Sequence, residues 1–119
     1  MKNNISNHLL MEEAQNMVKR LKDRIEREFP DFGESDRIYE KTTKGISDSY
    51  VKELRLEFFQ RTFDMRYKLA ASIIDAKNNR QYAPLSGGSK EEIIAFLNEK
   101  ETVDIIANAF ETLIRFARA

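Results

Sequence analysis

The hydrophobic residues of the first 29 positions recur every three or four residues, which is the spacing of one stripe along an α-helix. The stripe comprises Met11, Ala14, Val18, Leu21 and Ile25. Charged residues fill most of the positions between them. Phe29-Pro30 ends the segment, because the residue before a proline is pushed out of the helical region. The pattern therefore predicts a first helix that ends at Phe29 and is preceded by a frayed N-terminus over residues 1–6.

A second segment, residues 46–82, contains neither glycine nor proline, the two residues that cost most inside a helix. Its apolar positions follow a helical period: Val51, Leu54, Phe58, Met65, Leu69, Ile73 and Ala76. An unbroken helix of this length would run roughly 45 Å. A compact chain of this size has a radius of gyration of only about 13–14 Å. We therefore expect this long helix to bend, or to protrude and pack against a partner.

A third segment runs from Ser89 to the end of the chain. Ser89-Lys90-Glu91-Glu92 predicts a capping box, in which Ser89 and Glu92 satisfy each other's free backbone donors. Beyond it, apolar residues repeat the three-four alternation at Val103, Ile106, Phe110, Leu113 and Ala117. The polar residues 98–101 leave two alternatives open, one kinked helix or two short helices with Asn98 as the second cap.

No segment shows a convincing period-two alternation, so we predict an all-α fold. The expected architecture is a helical bundle with three long helices and one or two short ones, in a single domain over residues 1–119. Glycine and proline place the loops at residues 30–46 and 81–88. We expect the bundle to be dimeric, because closed two-fold pairs are the commonest oligomers.

The composition excludes several kinds of site. The chain has no cysteine, which removes disulfides, thiolate metal sites and cysteine nucleophiles, and its one histidine, His8, rules out multi-histidine zinc sites. No apolar run approaches the roughly 18 residues that a membrane helix requires, and no signal peptide is present, so we expect a cytoplasmic protein without membrane contacts. Basic and acidic residues number 20 each. This balance argues against a polyanion as an obligatory partner and still permits a local basic stripe.

Two motifs could form an anion site or a metal site, but each also has a purely structural interpretation. Residues 85–89, Leu-Ser-Gly-Gly-Ser, resemble the signature loop of ABC transporter ATPases, but the chain lacks the glycine-rich loop ending in Lys-Ser or Lys-Thr that such an enzyme needs. We expect a turn before the capped helix, with a weak anion site at the Ser89 and Lys90 amides as the alternative. Glu53 and Glu57 could hold a divalent ion, although a solvated pair fits the composition better. We therefore predict no metal, no cofactor and no catalytic residues, and hence a protein that is not an enzyme.

The leading functional hypothesis is a small helical protein-interaction module of the adaptor, immunity or inhibitor type. It would act by burying apolar helix faces against a partner protein, with homodimerisation as a first use of those faces. Packing within the chain's own core is the competing interpretation of the same residues. The candidate interface consists of Phe59, Phe63, Phe110, Leu113, Ile114 and Phe116.

The alternative hypothesis is a nucleic-acid-binding accessory subunit. Basic and aromatic residues are interleaved through residues 55–68, and nucleic-acid binders use arginine for phosphates and aromatic rings for stacking. The candidate contacts are Lys52, Arg55, Arg61, Arg66 and Lys68, with Lys77 and Arg80 further along the same predicted helix.

Overall fold

The structure, a computed structural model, describes residues 7–27, 37–42, 49–60 and 66–118. Within these residues the chain forms three helices and four strands. In chain order they are α1 (Asn7–Arg27), β1 (Arg37–Lys41), β2 (Val51–Gln60), β3 (Tyr67–Asp75), β4 (Arg80–Gly88), α2 (Lys90–Asn98) and α3 (Thr102–Arg118). The strands build one antiparallel sheet in the order β1-β2-β3-β4. The fold is therefore α+β, and the prediction of an all-α helical bundle is wrong.

The long helix predicted over residues 46–82 is replaced by β2, β3 and the start of β4. A spacing of four residues misled the prediction, because Leu54 and Phe58 share a face both on a helix and on a strand. Leu56 distinguishes the two, since it would lie across a helix from Leu54 but on the same side of a strand. Leu56 is fully buried between the charged residues Arg55 and Glu57. The expectation that a long helix bends or protrudes towards a partner is therefore wrong too.

A tight turn divides β3 from β4 inside the predicted helix. The Asp75 amide donates to the Asn79 carbonyl at 2.9 Å, and the Asn78 amide donates to the Asp75 carbonyl at 2.9 Å. The Asp75 carboxylate accepts from the amides of Lys77 and Asn79, each at 2.9 Å. Asn78 takes a positive φ of 67°, a conformation that asparagine tolerates better than most residues. These local bonds give the chain a hairpin where no glycine marks one.

Both predicted loops contain strands: residues 81–88 belong to β4, and β1 lies within the predicted loop 30–46. The resemblance of residues 85–89 to a signature loop therefore falls on the end of a strand and the helix cap that follows. Pro84 is compatible with a strand here because β4 is the last strand of the described sheet, where one side needs no partner. The register shifts between Leu69 and Ala70, close to the point where Pro84 pairs with Ala70.

The helices agree better with the sequence. The predicted first helix is confirmed as α1, although residues 1–6 and Phe29-Pro30 lie outside the described residues. The capping box is confirmed: the Ser89 side chain accepts from the Glu92 amide, and the Glu92 side chain accepts from the Ser89 amide. The third segment forms two helices, and Asn98 ends α2 instead of capping α3.

All three helices contribute to one hydrophobic core with a single face of the sheet. The core side chains from the helices include Ala14, Met17, Leu21, Ile25, Ile93, Ile106 and Phe110. The sheet contributes Leu54, Leu56, Phe58, Leu69, Ala71 and Ile73. Within the described part of the chain, no helix is both long and apolar enough to cross a membrane.

Candidate functional site

The sheet has a second face, which we call the open face. Its side chains alternate with the core residues along each strand. In register across the strands they form rows: Arg37-Phe59-Lys68-Gly87, Tyr39-Glu57-Ala70-Pro84, Lys41-Arg55-Ser72-Tyr82 and Glu53-Ile74-Arg80. Ala70 is buried, but none of these residues belongs to the hydrophobic cluster between the sheet and the helices or packs against it. The open face is therefore the surface on which functional side chains can gather.

Three arginines of the open face lie over aromatic rings. The guanidinium carbon of Arg55 is 4.3 Å from the centroid of the Tyr39 ring. The corresponding distances are 4.8 Å for Arg37 over Phe59 and 4.6 Å for Arg80 over Tyr82. Each pair follows from the sheet, since its members are cross-strand neighbours, diagonal neighbours or two residues apart on one strand. The rings and the guanidinium groups together form an aromatic and cationic surface.

A buried carboxylate lies beneath this surface. Glu57 has 0% exposure and accepts hydrogen bonds from Arg37 Nη1 at 3.0 Å, from Ser72 Oγ at 2.8 Å and from Arg80 Nε at 3.0 Å. Arg80 Nη2 donates to the second carboxylate oxygen. Burial alone would raise the pKa of Glu57, but the bonds from Arg80 and Ser72 and the charges of Arg80 and Arg37 outweigh it and lower that pKa. Glu57 therefore stays charged and holds two arginines in place.

The open face is positively charged, although the whole chain is neutral. It carries five basic side chains against two acidic ones, Glu53 and Glu57, an excess of three. Arg55 is hydrogen-bonded to Glu53, and Lys41 Nζ lies 3.8 Å from Glu53 Oε1. The basic residues are Arg37, Lys41, Arg55, Lys68 and Arg80. An anionic partner is the one that this charge favours.

A slot of about 270 Å³ crosses the open face over β3. Phe59 on β2 and Tyr82 on β4 contribute aromatic rings from either side, and Tyr82 is 54% exposed. The small side chain of Ala70 lies between them, and it is almost fully buried. Lys68 lines the same slot. The two rings and the small Ala70 side chain between them suit a planar ligand group, and the ammonium group of Lys68 suits an anion attached to it.

The β1 edge of the sheet is covered by two arginines from α1. Arg24 Nη1 donates to the Tyr39 carbonyl at 3.0 Å, and Arg20 Nη2 donates to the Lys41 carbonyl at 2.9 Å. Glu40 accepts from Arg20 Nε at 2.8 Å and from Arg24 Nη1 at 2.9 Å. Burial would raise the pKa of Glu40, but these two arginines lower it. The edge carbonyls are thus satisfied within the chain, which discourages addition of a foreign strand here.

The candidate nucleic-acid contacts from the sequence separate in the structure. Arg55 and Lys68 both lie on the open face. Lys52 is exposed and donates to Asn78 Oδ1 at 2.7 Å, near the hairpin turn, and Arg66 is exposed in a depression beside Ser89. Arg61 lies outside the described residues. Arg80, named with Lys77 as a further candidate, also lies on the open face. The sequence analysis missed Arg37, Tyr39 and Tyr82, which strand alternation would have placed with it.

Half of the candidate protein interface is buried in the chain's own hydrophobic core. Phe110, Leu113 and Ile114 are at most 5% exposed and belong to the hydrophobic core, which is the competing interpretation given above. Phe116 is 66% exposed on α3, and Phe59 lies on the open face. Phe63 lies outside the described residues. Of the members that the structure describes, the three from the core leave no continuous apolar helix surface exposed.

The sequence offered two sites for ions: a divalent cation between Glu53 and Glu57, and an anion at the amides of Ser89 and Lys90. Glu53 and Glu57 lie on the same strand face with Arg55 between them, and Glu57 is bound to two arginines. Among the described residues, no group of three potential metal ligands converges. The Ser89 amide donates to Glu92 Oε1 at 3.1 Å, so the capping box already supplies the negative charge at this helix end.

Comparison of the chain with protein-family models, with curated proteins and with solved structures gives no match.

Proposed function

We propose that this protein binds single-stranded nucleic acid on the open face of its sheet and acts there without catalysing a reaction. The observation that carries the proposal is the set of three arginine–ring stacks on one positively charged sheet face. Aromatic rings and guanidinium planes stack on unpaired bases, and basic side chains contact the phosphates. The absence of cysteine suits the reducing cytoplasm, which we propose as its location.

The shape of the site favours single strands over duplexes. A base must leave its stack before a protein ring can lie against it, and the bases of a duplex are already stacked and paired. The open face is a broad surface of rings and guanidinium groups, and Tyr82 is 54% exposed. Glu57 fixes Arg37 and Arg80 before any ligand arrives, which lowers the entropy cost of binding.

The open face supports a nucleic-acid partner better than a second copy of the chain. Two copies packed through this face would bring two positive surfaces together, and like charges across an interface oppose association. The apolar residues proposed for helix-mediated protein binding are mostly buried in the core. Homodimerisation remains a prediction for other surfaces, and analytical ultracentrifugation at high concentration tests it.

Fluorescence anisotropy with labelled ten-nucleotide oligothymidylate and oligouridylate tests the proposal, with a hairpin duplex for comparison. We expect binding to the single strands that weakens with salt, since each phosphate contact contributes a slope of about −0.7 in log K against log [salt]. Arg55→Ala and Lys68→Ala are expected to weaken binding several-fold and to make that slope shallower. Lys100→Ala is the matched control, because Lys100 is exposed between α2 and α3, away from the sheet.

Absence of single-strand binding at low salt would overturn the proposal. So would a preference for the duplex, or an Arg55→Ala effect no larger than that of Lys100→Ala. Circular dichroism of each variant checks that the fold is intact, so that a loss of binding is assigned to the substituted side chain.

A further inference from the structure

We infer that the slot over β3 receives one base of the bound strand, with the neighbouring phosphate on Lys68. This inference rests on the proposed function and names a subsite within it. The slot is lined by Phe59, Lys68, Ala70, Tyr82 and Pro84, together with Leu69. An arginine lies over each of these two rings, and the two rings, which come from different strands, border one depression.

The diagonal course of the slot follows from the strand order and the register. Phe59 on β2 and Tyr82 on β4 lie on either side of β3, two interstrand spacings or about 10 Å apart across the sheet. They are also two rows apart along the sheet, since Phe59 pairs with Lys68 and Tyr82 pairs with Ser72, and Ala70 lies in the row between them. Ala70 is the reason that space remains between them, because any larger side chain on this face of β3 would project into it. Ala70 pairs with Pro84, whose rigid ring forms part of the same border.

The rings of the slot are held from outside by the arginine network. Arg80 lies over Tyr82, and the same guanidinium is hydrogen-bonded to the buried carboxylate of Glu57. Arg37 lies over Phe59 and is bonded to Glu57 as well. One carboxylate thus organises both walls. A base entering the slot would meet surfaces that are already in place, which is the condition for stacking at low entropy cost.

Lys68 is placed to contact a phosphate beside the slot. It pairs with Phe59 on one side and with Gly87 on the other. Its Nζ lies 3.0 Å from the position that a Cβ on Gly87 would occupy, so the lysine side chain lies flat across β4. The absence of a side chain at Gly87 leaves room for this conformation. The positive charge of Lys68 therefore lies next to the aromatic side chains of the slot. This arrangement suits a nucleotide, whose base and phosphate are close to each other.

The first experiment uses Tyr82→Trp, which keeps an aromatic wall and introduces the only tryptophan of the chain. The probes are oligothymidylate and an abasic oligonucleotide of the same length and charge. We expect oligothymidylate to quench the tryptophan emission and the abasic strand not to do so. We also expect oligothymidylate to bind about tenfold more tightly than the abasic strand, as the loss of one stacked base predicts.

The second experiment fills the slot without changing any charge. Ala70→Val and Ala70→Leu are expected to abolish the preference for oligothymidylate while leaving the weak binding of the abasic strand unchanged. Ala76→Val, at an exposed position of the hairpin turn, is the control for the added methyl groups. Should Ala70→Leu fail to fold, Tyr82→Ser removes an exposed wall instead and is expected to reduce the same preference.

The outcomes separate this inference from the proposed function. Equal affinity of the wild-type protein for the two probes would overturn the inference and leave binding through phosphates. A preference for oligothymidylate that survives in both Ala70→Val and Tyr82→Ser would place base stacking elsewhere on the open face and overturn the inference as well. No binding of either probe would overturn the proposed function itself. Loss of the preference in the slot variants alone supports the inference.

Discussion

Arg80 holds the buried carboxylate of Glu57 through two hydrogen bonds that reach from β4 across β3 to β2. Ser72, on the strand between them, donates to the same carboxylate at 2.8 Å, and Arg37 reaches it from β1 at 3.0 Å. All four strands therefore meet at one charged group. The open face depends on this network for the positions of Arg37 and Arg80 and, through them, of the rings of Phe59 and Tyr82.

Removing Arg80 should cost more stability than neutralising Glu57. Arg80→Met leaves a fully buried carboxylate with one arginine fewer, and breaking a buried pair in this way costs about 3–4 kcal/mol. Glu57→Gln leaves two arginines whose side chains are 41% and 31% exposed and can be hydrated, so we expect about 1–2 kcal/mol. Urea unfolding measures both values. Equal losses, or a larger loss for Glu57→Gln, would contradict this account of the network.

The loss of folding free energy at low pH should depend in part on Glu40. Its pKa is lowered in the folded state, since the bonds from Arg24 and Arg20 outweigh burial, so the folded protein binds this proton less readily than the unfolded chain. The resulting stabilisation is present above the ordinary glutamate value of about 4.3 and is lost as pH falls through the lower folded value. We expect the stability gap between wild type and Glu40→Gln to narrow from about pH 5 towards pH 3.

Chemical unfolding across this pH range checks the prediction. Ile73→Val is the control, because it removes a buried methylene without changing a titrating group, and its gap from wild type should stay constant. A gap for Glu40→Gln that is constant or widens at low pH would show that the arginines do not stabilise the charged form.

Leu56 tests whether the middle of the chain is sheet or helix. Because Leu56 is fully buried on the core face of β2, Leu56→Ala should destabilise the fold by about 2–5 kcal/mol. Ile105→Ala is the comparison, because Ile105 is 40% exposed on α3 and should contribute less than about 1 kcal/mol. Thermal unfolding of the two variants is sufficient. Similar small losses would favour the helix in which Leu56 lies opposite Leu54.

The helices were predictable from the sequence because their signals are local. The stripe of α1 and the capping box at Ser89 and Glu92 involve residues three or four positions apart. The strands were missed because Leu54 and Phe58 fit both periods, and because the hairpin at residues 75–79 contains no glycine or proline. Two residues could have indicated the strands: Leu56, which alternates with charged neighbours, and Asn78, a residue type that is common in turns.

The candidate site was predictable only in part, for a related reason. Arg55 and Lys68 were found because basic and aromatic residues alternate near them in the sequence. Arg37 and Arg80 reach Glu57 from 20 and 23 residues away, respectively, and such contacts follow from strand pairing alone. Without the sheet, there was no reason to place Tyr82 and Phe59 on the same face, on either side of β3.

Gly88 and Gly87 should respond differently to alanine. Gly88 has a φ of 143°, and a Cβ there would lie 2.8 Å from the carboxylate carbon of Glu92 in the capping box. Gly88→Ala should therefore cost about 1–3 kcal/mol from backbone strain, with loss of the cap in addition. Gly87→Ala meets only the flexible end of Lys68 and should be nearly neutral in stability. Equal effects in thermal unfolding would contradict the strained conformation at Gly88.

The hairpin between β3 and β4 gives the last prediction. Asn78 has a φ of 67°, which costs most non-glycine residues about 1–2 kcal/mol. Asn78→Ala should therefore lower the free energy of unfolding by about 1 kcal/mol, and Asn78→Gly should be close to neutral because glycine adopts this conformation freely. Both variants also remove the acceptor of the 2.7 Å bond from Lys52. Equal losses in the two variants would mean that this bond, and not the backbone conformation, stabilises the turn.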